Sequence, residues 1–340
     1  RLSTPYRKRS LDLRYTPASV RRERTVMRID LDVLKKRAEI AWESLQACAL
    51  CPRKCGVDRL AGKIGYCGSH GRWGDGEPEP DCVYFSSAGP HFGEETCLVG
   101  RGGSGTVFFS GCNLSCMFCQ NSEISQGGEG MWVPISRLAS IFLSLQNRGC
   151  HNLNIVTPTH FVAHLLRALV TATEIGFRLP LVYNCGGYES VETIQLLDGI
   201  VDIYMPDFKY TDPKIAEELS DAPDYPRYAK AALKAMHRQV GDLRADGPAG
   251  TATRGLLIRH LVLPENLAGT EEAMRFIAEE ISIETYVNIM DQYRPCHRAW
   301  RRPALSRSIT AEEYQAAVDA AVRYGLHRGF PRKRSYSALW

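Results

Sequence analysis

Three cysteines stand close together in the run SGCNLSCMFCQN: Cys112, Cys116 and Cys119, spaced C-x3-C-x2-C. Three thiolates this close cannot all pair as disulfides, and a tetrahedral zinc site would want a fourth ligand nearby. Thiolates favour iron–sulfur clusters, and three of them leave one iron of a [4Fe–4S] cubane open. An iron with a free corner can be chelated by a small molecule and pass it one electron. Gly111, just before the first cysteine, relieves crowding where the backbone wraps such a group. A second group, Cys48, Cys51, Cys55 and Cys67, reads C-x2-C-x3-C-x11-C, with Gly62, Gly65 and Gly68 permitting a tight wrap. Four thiolates from one short segment suit a structural zinc ion or a second iron–sulfur cluster, with free reduced thiols as the alternative. Coordination would explain how residues 48–75 hold a fold with so few apolar side chains. Cys82, Cys97, Cys150, Cys185 and Cys296 are scattered and read as buried inert thiols. Cys185 stands apart from these because it falls at a strand end.

The rest of the chain must position these thiols. Its 340 residues are 44% hydrophobic and 24% charged, the balance of a soluble globular protein that needs no disulfides to hold its core. Net charge is only +4, and the excess cations gather at the ends: Arg7, Lys8, Arg9, Arg14, Arg21, Arg22 and Arg24, then Arg328, Arg332, Lys333 and Arg334. These read as solvated ends rather than a nucleic-acid grip. No run approaches about 18 consecutive apolar residues and no secretory core lies near residue 1, so no membrane span is expected. The chain starts at Arg1, so a leader is expected to precede it. Twelve cysteines without a signal peptide point to the reducing cytoplasm, where cysteines bind metal or do chemistry.

Residues 1–47 read as an arm followed by a short amphipathic helix over 31–47, and 48–105 as a Cys/Gly-rich, loop-built segment. From 106 to 300 short apolar runs alternate with helical stretches, and 301–340 read as a helix with a basic tail. The strand-like runs are 106–110, 153–157, 180–184, 201–206, 256–263 and 285–290, apolar on both faces as in parallel sheets. Ser136 is expected to cap a helix carrying Leu138, Ile141, Phe142 and Leu145, and Thr159 another carrying Phe161, Leu165, Leu166 and Leu169. Thr310 and Glu313 form a capping-box pattern before Tyr314. Residues 211–255 form an excursion with a helix at AKAALKAMHRQV. Six βα repeats predict an α/β fold, a partial (β/α)6 TIM-like barrel with an N-terminal cysteine-rich extension.

In such a barrel chemistry gathers where strands end. The second strand runs into Thr157, Pro158, Thr159 and His160, and the third into Asn184, Cys185, Gly186, Gly187, Tyr188 and Glu189. The fourth ends in Asp207, Phe208 and Lys209, the fifth carries Arg259 and His260, and the sixth leads to Asp291, Gln292, Tyr293 and Arg294. Any one of these alone reads equally as an ion pair or a satisfied buried polar group, and His160 and His260 as ordinary hydrogen-bonded histidines. Five polar strand ends in order point to a working face.

The cysteine loop, with Phe118 before its last cysteine, resembles the signature of the radical S-adenosylmethionine (SAM) superfamily. Within it, CPRKCGVDR and YMPDFKY are similar to the branch of pyruvate formate-lyase activating enzymes, over roughly residues 48–300. The resemblance implies an oxidoreductase that binds a [4Fe–4S] cluster and SAM and cleaves SAM to a 5′-deoxyadenosyl radical. Phe118 would pack on the adenine. Thr157 to Thr159 would hold the SAM amino group, although TPTH replaces the usual Gly-Gly-Glu. Asn184 would reach its carboxylate or ribose, although NCGG replaces Asp-Thr-Asn-Gly. Asp207 and Lys209 would make polar contacts to SAM, and Arg259 would reach the SAM carboxylate. The implied partners are a one-electron donor, flavodoxin or ferredoxin, and a glycyl radical enzyme. Modification of a peptide or small metabolite is the second reading, and a non-catalytic iron–sulfur or zinc protein the third.

Overall fold

β-Branched and aromatic residues in short runs become the strands of one sheet. The computed structural model describes residues 29–68, 79–247 and 250–331. In chain order the strands are β1 (Cys82–His91), β2 (Ser104–Phe109), β3 (Met131–Pro134), β4 (Leu153–Val156), β5 (Leu181–Cys185), β6 (Ile203–Pro206), β7 (Gly255–Leu261) and β8 (Tyr286–Met290). The sheet runs β3-β1-β2-β4-β5-β6-β7-β8. From β2 to β8 every neighbour is parallel. All six expected strands are present and adjacent in sequence order.

The helices are α1 (Leu31–Glu43), α2 (Thr96–Val99), α3 (Ser122–Ser125), α4 (Ile135–Asn147), α5 (Val162–Glu174), α6 (Val191–Leu196), α7 (Pro213–Ser220), α8 (Tyr225–Val240), α9 (Thr270–Glu280) and α10 (Ala311–Arg323). The capping box at Thr310 and Glu313 forms as its sequence implies. Two other caps do not. α4 begins at Ile135 after Pro134, leaving Ser136 inside its first turn. α5 begins at Val162 after a 3-10 turn, Thr159–Phe161, and the Thr159 hydroxyl bonds elsewhere.

The 48–105 segment is not wholly loop-built. It contains β1, which pairs antiparallel with β2 and with β3 and extends the sheet. The run CVYFSSAGPH hides a strand because Ser, Gly and Pro dilute its apolar signal, and an edge partner supplies what propensity lacks. α2 packs Leu98 with Val182, Ile203, Met205 and Leu257, the N-terminal half of one sheet face. The basic run Arg7–Arg24 and Arg332, Lys333 and Arg334 lie outside the described residues. Arg328 belongs to the fold rather than to a tail: its carbonyl accepts from Val287 N–H, and its guanidinium donates to the Glu284 and Leu243 carbonyls. No helix among the described residues is long and apolar enough to cross a membrane.

Candidate functional site

Side chains alternate across a strand, so one face collects every second residue. On the face that buries α2, the next positions toward the strand ends are Val156, Asn184, Asp207, Arg259 and Met290. With Cys112, Cys116, Cys119, Phe118, Thr157, Cys185 and Lys209 they line a cavity of about 260 Å³. The three thiols and the polar strand ends therefore share one space.

Asp207 is the hub of the charged wall. Its carboxylate accepts from Lys209 Nζ at 2.6 Å and from Arg259 Nε at 2.8 Å. Arg259 also donates to Asn184 Oδ1 at 2.8 Å and approaches Glu94 Oε1 at 3.8 Å. Burial alone would raise the Asp207 pKa, but the Arg259 and Lys209 charges outweigh it and hold it below the usual range. Burial likewise works against charge on Lys209, and Asp207 more than offsets it, so the ammonium is held. Beneath lie two carboxylates that the sequence reading missed. Glu94 accepts from Asn154 at 2.8 Å, and Glu95 from Asn288 at 2.7 Å. Burial raises the Glu95 pKa against the Asn288 hydrogen bond and the Arg259 charge. Their signal was present: between Cys82 and Gly100 no other Asp, Glu, Lys or Arg occurs.

The cysteine loop is anchored from outside. Ser115 and Met117 N–H groups donate to the Ser220 and Leu219 carbonyls at the end of α7, and Arg298 N–H donates to the Met117 carbonyl. Donors also face the sulfurs. Leu114 N–H lies 3.4 Å from Cys112 Sγ, the Ser220 hydroxyl 2.9 Å from Cys116 Sγ, and Ser125 Oγ 3.2 Å from Cys119 Sγ. Gly111 takes φ 89°, a backbone that side chains resist. Burial, then the neighbouring Cys116, raises the Cys112 thiol, and burial raises Cys116 against the pull of Lys209. Crowded thiols in a low dielectric ionise when a cationic metal group binds them. Among the described residues no three His, Cys, Asp or Glu side chains converge as the shell of a single metal ion. Thiols spread around a cavity suit a cluster, in which each iron takes its own thiolate. The donor set therefore fits a [4Fe–4S] group.

Phe118 is 5% exposed and meets Tyr293 and Tyr210 edge-on. Thr157 has φ 55°, strained for a β-branched residue and located at the cavity wall. Thr159 is not among the residues lining the cavity. Its hydroxyl donates to Glu189 at 2.5 Å. His160 bonds the Ser110 carbonyl, and His260 lies between the Phe208 carbonyl and the Thr270 hydroxyl. Tyr225 is a further residue missed. Its phenol donates to the Gly186 and Asp207 carbonyls and accepts from Lys209 N–H, tying two strand-end loops together. No disulfide joins any of the twelve cysteines, all of which fall among the described residues.

Two predictions follow from the packing here. Gly187 has φ 79°, and a Cβ there would run into the Asp207 carbonyl oxygen. Gly187→Ala should cost about 3 kcal/mol or more, read as a lower urea midpoint at unchanged slope. Glu189 is fully buried, and burial pushes its pKa up from 4.5 to about 7 despite hydrogen bonds from Thr159, Tyr183 and Cys185. Between those values the folded state keeps a proton that the unfolded chain has released. Its contribution is thus complete below about pH 4.5 and disappears as pH rises through 7. The wild type should lose on the order of 3 kcal/mol more than Glu189→Gln between about pH 5 and 7.5. Urea unfolding at the two pH values measures it, and parallel losses in both proteins contradict it. His260, held neutral by burial with its pKa near 4, acts oppositely as pH falls from 6.5. It is common to both proteins and cancels.

A family model described as the Radical SAM superfamily matches residues 106–277. The chain is 32% identical over 305 residues to "Uncharacterized protein MJ0674" of Methanocaldococcus jannaschii, covering 87% of this chain and 80% of that one. Among solved structures it is similar to a radical SAM methyltransferase from Sphaerobacter thermophilus, at 15% identity and TM-score 0.45 over 66% of this chain. It is also similar to HydG, a maturase of the [FeFe]-hydrogenase, at 12% identity and TM-score 0.43 over 65% of this chain. The chain spans 64% of the first structure and 49% of the second, under two thirds of each.

Proposed function

Because this chain belongs to the radical SAM superfamily, we propose that Cys112, Cys116 and Cys119 hold its [4Fe–4S] cluster and that it cleaves SAM reductively. The observation that carries this reading is the single cavity lined by these thiols, Phe118, Asn184, Asp207, Lys209 and Arg259. When bound, the cluster supplies the electron that breaks the S–C5′ bond of SAM, leaving methionine and a 5′-deoxyadenosyl radical. The chain's own residues bind and orient. Lys209 and Arg259 present fixed cations to a carboxylate, and Asp207 keeps both charged and aimed. Thr157 and Asn184 offer polar groups at adjacent strand ends, joined by the Thr157 N–H to the Asn184 carbonyl at 2.8 Å. Phe118, held between aromatic neighbours, offers an apolar face to the adenine.

We read the six parallel strands as a partial (β/α)6 barrel, residues 1–47 and 48–105 as extensions before it, and 301–340 as a closing helix and tail. The retained YMPDFKY and CPRKCGVDR segments favour activation of a glycyl radical enzyme, with flavodoxin or ferredoxin as electron donor in the reducing cytoplasm. Anaerobic reconstitution with dithionite and SAM should release 5′-deoxyadenosine. An intact cluster that yields none defeats the enzymatic reading. A glycyl radical EPR signal on a co-purified partner identifies activation, whereas a modified peptide or metabolite replaces it with the second reading.

A further inference from the structure

We propose that Cys48, Cys51, Cys55 and Cys67 hold a second iron–sulfur cluster, placed to pass electrons to the Cys112 loop. Between Cys48 and Cys67 the described chain forms neither helix nor strand. It is folded back by main-chain bonds instead: Cys48 N–H to the Val57 carbonyl, Gly56 N–H to the Cys48 carbonyl, and Lys54 N–H to the Cys51 carbonyl. These turns bring four distant thiols into one small region. A Cβ on Gly65 would lie 3.6 Å from Cys55 Sγ and 3.7 Å from Cys67 Sγ, so both sulfurs flank that backbone. Cys48, Cys51 and Cys67 are each 8% exposed, and Cys55 is half-buried at the rim.

Donors point at these sulfurs. Tyr66 N–H lies 3.4 Å from Cys55 Sγ. The Arg59 guanidinium, fully buried, lies 3.8 Å from Cys48 Sγ and donates to the His160 carbonyl at 2.6 Å. Four cysteines in one short segment suit a cluster with one thiolate per iron.

Position supplies the role. Cys67 and Cys112 line one cavity of about 640 Å³, together with Tyr66, Leu114 and Asp221. Arg53, two residues after Cys51, donates from Nε to the carbonyl of Asn113, the neighbour of Cys112, at 2.9 Å. A second thiol group that shares a cavity wall with the Cys112 loop and is tied to its backbone through Arg53 is placed as a stepping stone. One electron enters from a flavin or iron–sulfur donor protein and one leaves to the inner cluster, with no proton or bond change.

The metal content tests the site without any SAM chemistry, so its failure is distinct from failure of the proposed activity. Anaerobic wild-type protein should carry about eight irons and eight sulfides per chain, and the triple variant Cys112→Ala, Cys116→Ala, Cys119→Ala about four of each. The reduced triple variant should show the EPR signal of a reduced cluster. Wild-type protein with only about four irons, or a triple variant holding zinc or iron without sulfide, overturns the proposal. For the path, Cys55→Ala should abolish the fast reduction of the inner cluster by reduced flavodoxin while sparing its reduction by dithionite. Unchanged flavodoxin-driven reduction in a variant shown to lack the outer cluster overturns the relay. Should Cys55→Ala precipitate, Arg53→Met, which keeps all four thiols, must slow the same flavodoxin-driven step, and an unaltered rate overturns the relay equally.

Discussion

Cys116→Ala should lose about four irons per chain and all release of 5′-deoxyadenosine. Of the three thiols in the loop, Cys116 is the most enclosed, at 8% exposure, and it receives the Ser220 hydroxyl at 2.9 Å. Its neighbours Ser115 and Met117 are pinned to the end of α7 by main-chain hydrogen bonds. The backbone therefore cannot slide to bring another donor into its place. Removing one sulfur from a buried side chain costs the fold little next to the loss of a ligand, so the variant should stay folded while the inner cluster is lost. Iron and sulfide analysis with chromatography of the SAM products checks this. A Cys116→Ala protein with undiminished iron and parental product release would sink the ligand assignment.

Asp207→Ala should destabilise the protein by about 3 kcal/mol, near the low end for breaking a buried pair. Its carboxylate lies between Lys209 and Arg259, with side-chain exposures of 18% and 18%, so removing it leaves two cations in poor solvent contact. Glu94, 3.8 Å from Arg259, offsets part of the loss, which places the expectation at the low end. Because the folded pKa of Asp207 is held below 3.8, its contribution is complete above that value and disappears as pH falls below it. Urea unfolding near pH 7 measures the change, and equilibrium dialysis with SAM should show weaker binding. A loss under about 1 kcal/mol would mean that the three charges act separately rather than as one unit.

Much of this was legible in the residues. LNIV, LVYN and YVNIM are short, apolar and β-branched, and they became the parallel strands that propensity and length suggest. Once those strands are aligned, period two brings Asn184, Asp207 and Arg259 to one face, so the polar strand ends already marked the cavity. What the sequence withheld are contacts made at long range. Glu94 and Glu95 reach the site only because β1 folds back on β2, and nothing local announces that pairing. Tyr225 opens a helix in sequence but acts on carbonyls 39 and 18 residues away. Ser136 and Thr159 have the chemistry of caps, yet Pro134 starts α4 two residues earlier and Glu189 captures the Thr159 hydroxyl. Local preference lost to a buried carboxylate that needed a donor.

α2 fills the far end of the inner sheet face with Leu98, and Glu94 and Glu95 seal the level above it. Traffic through this well is consequently one-way in and the same way out. Under the activity proposed above, the spent nucleoside and amino acid leave by the opening through which SAM came in, so departure precedes the next arrival.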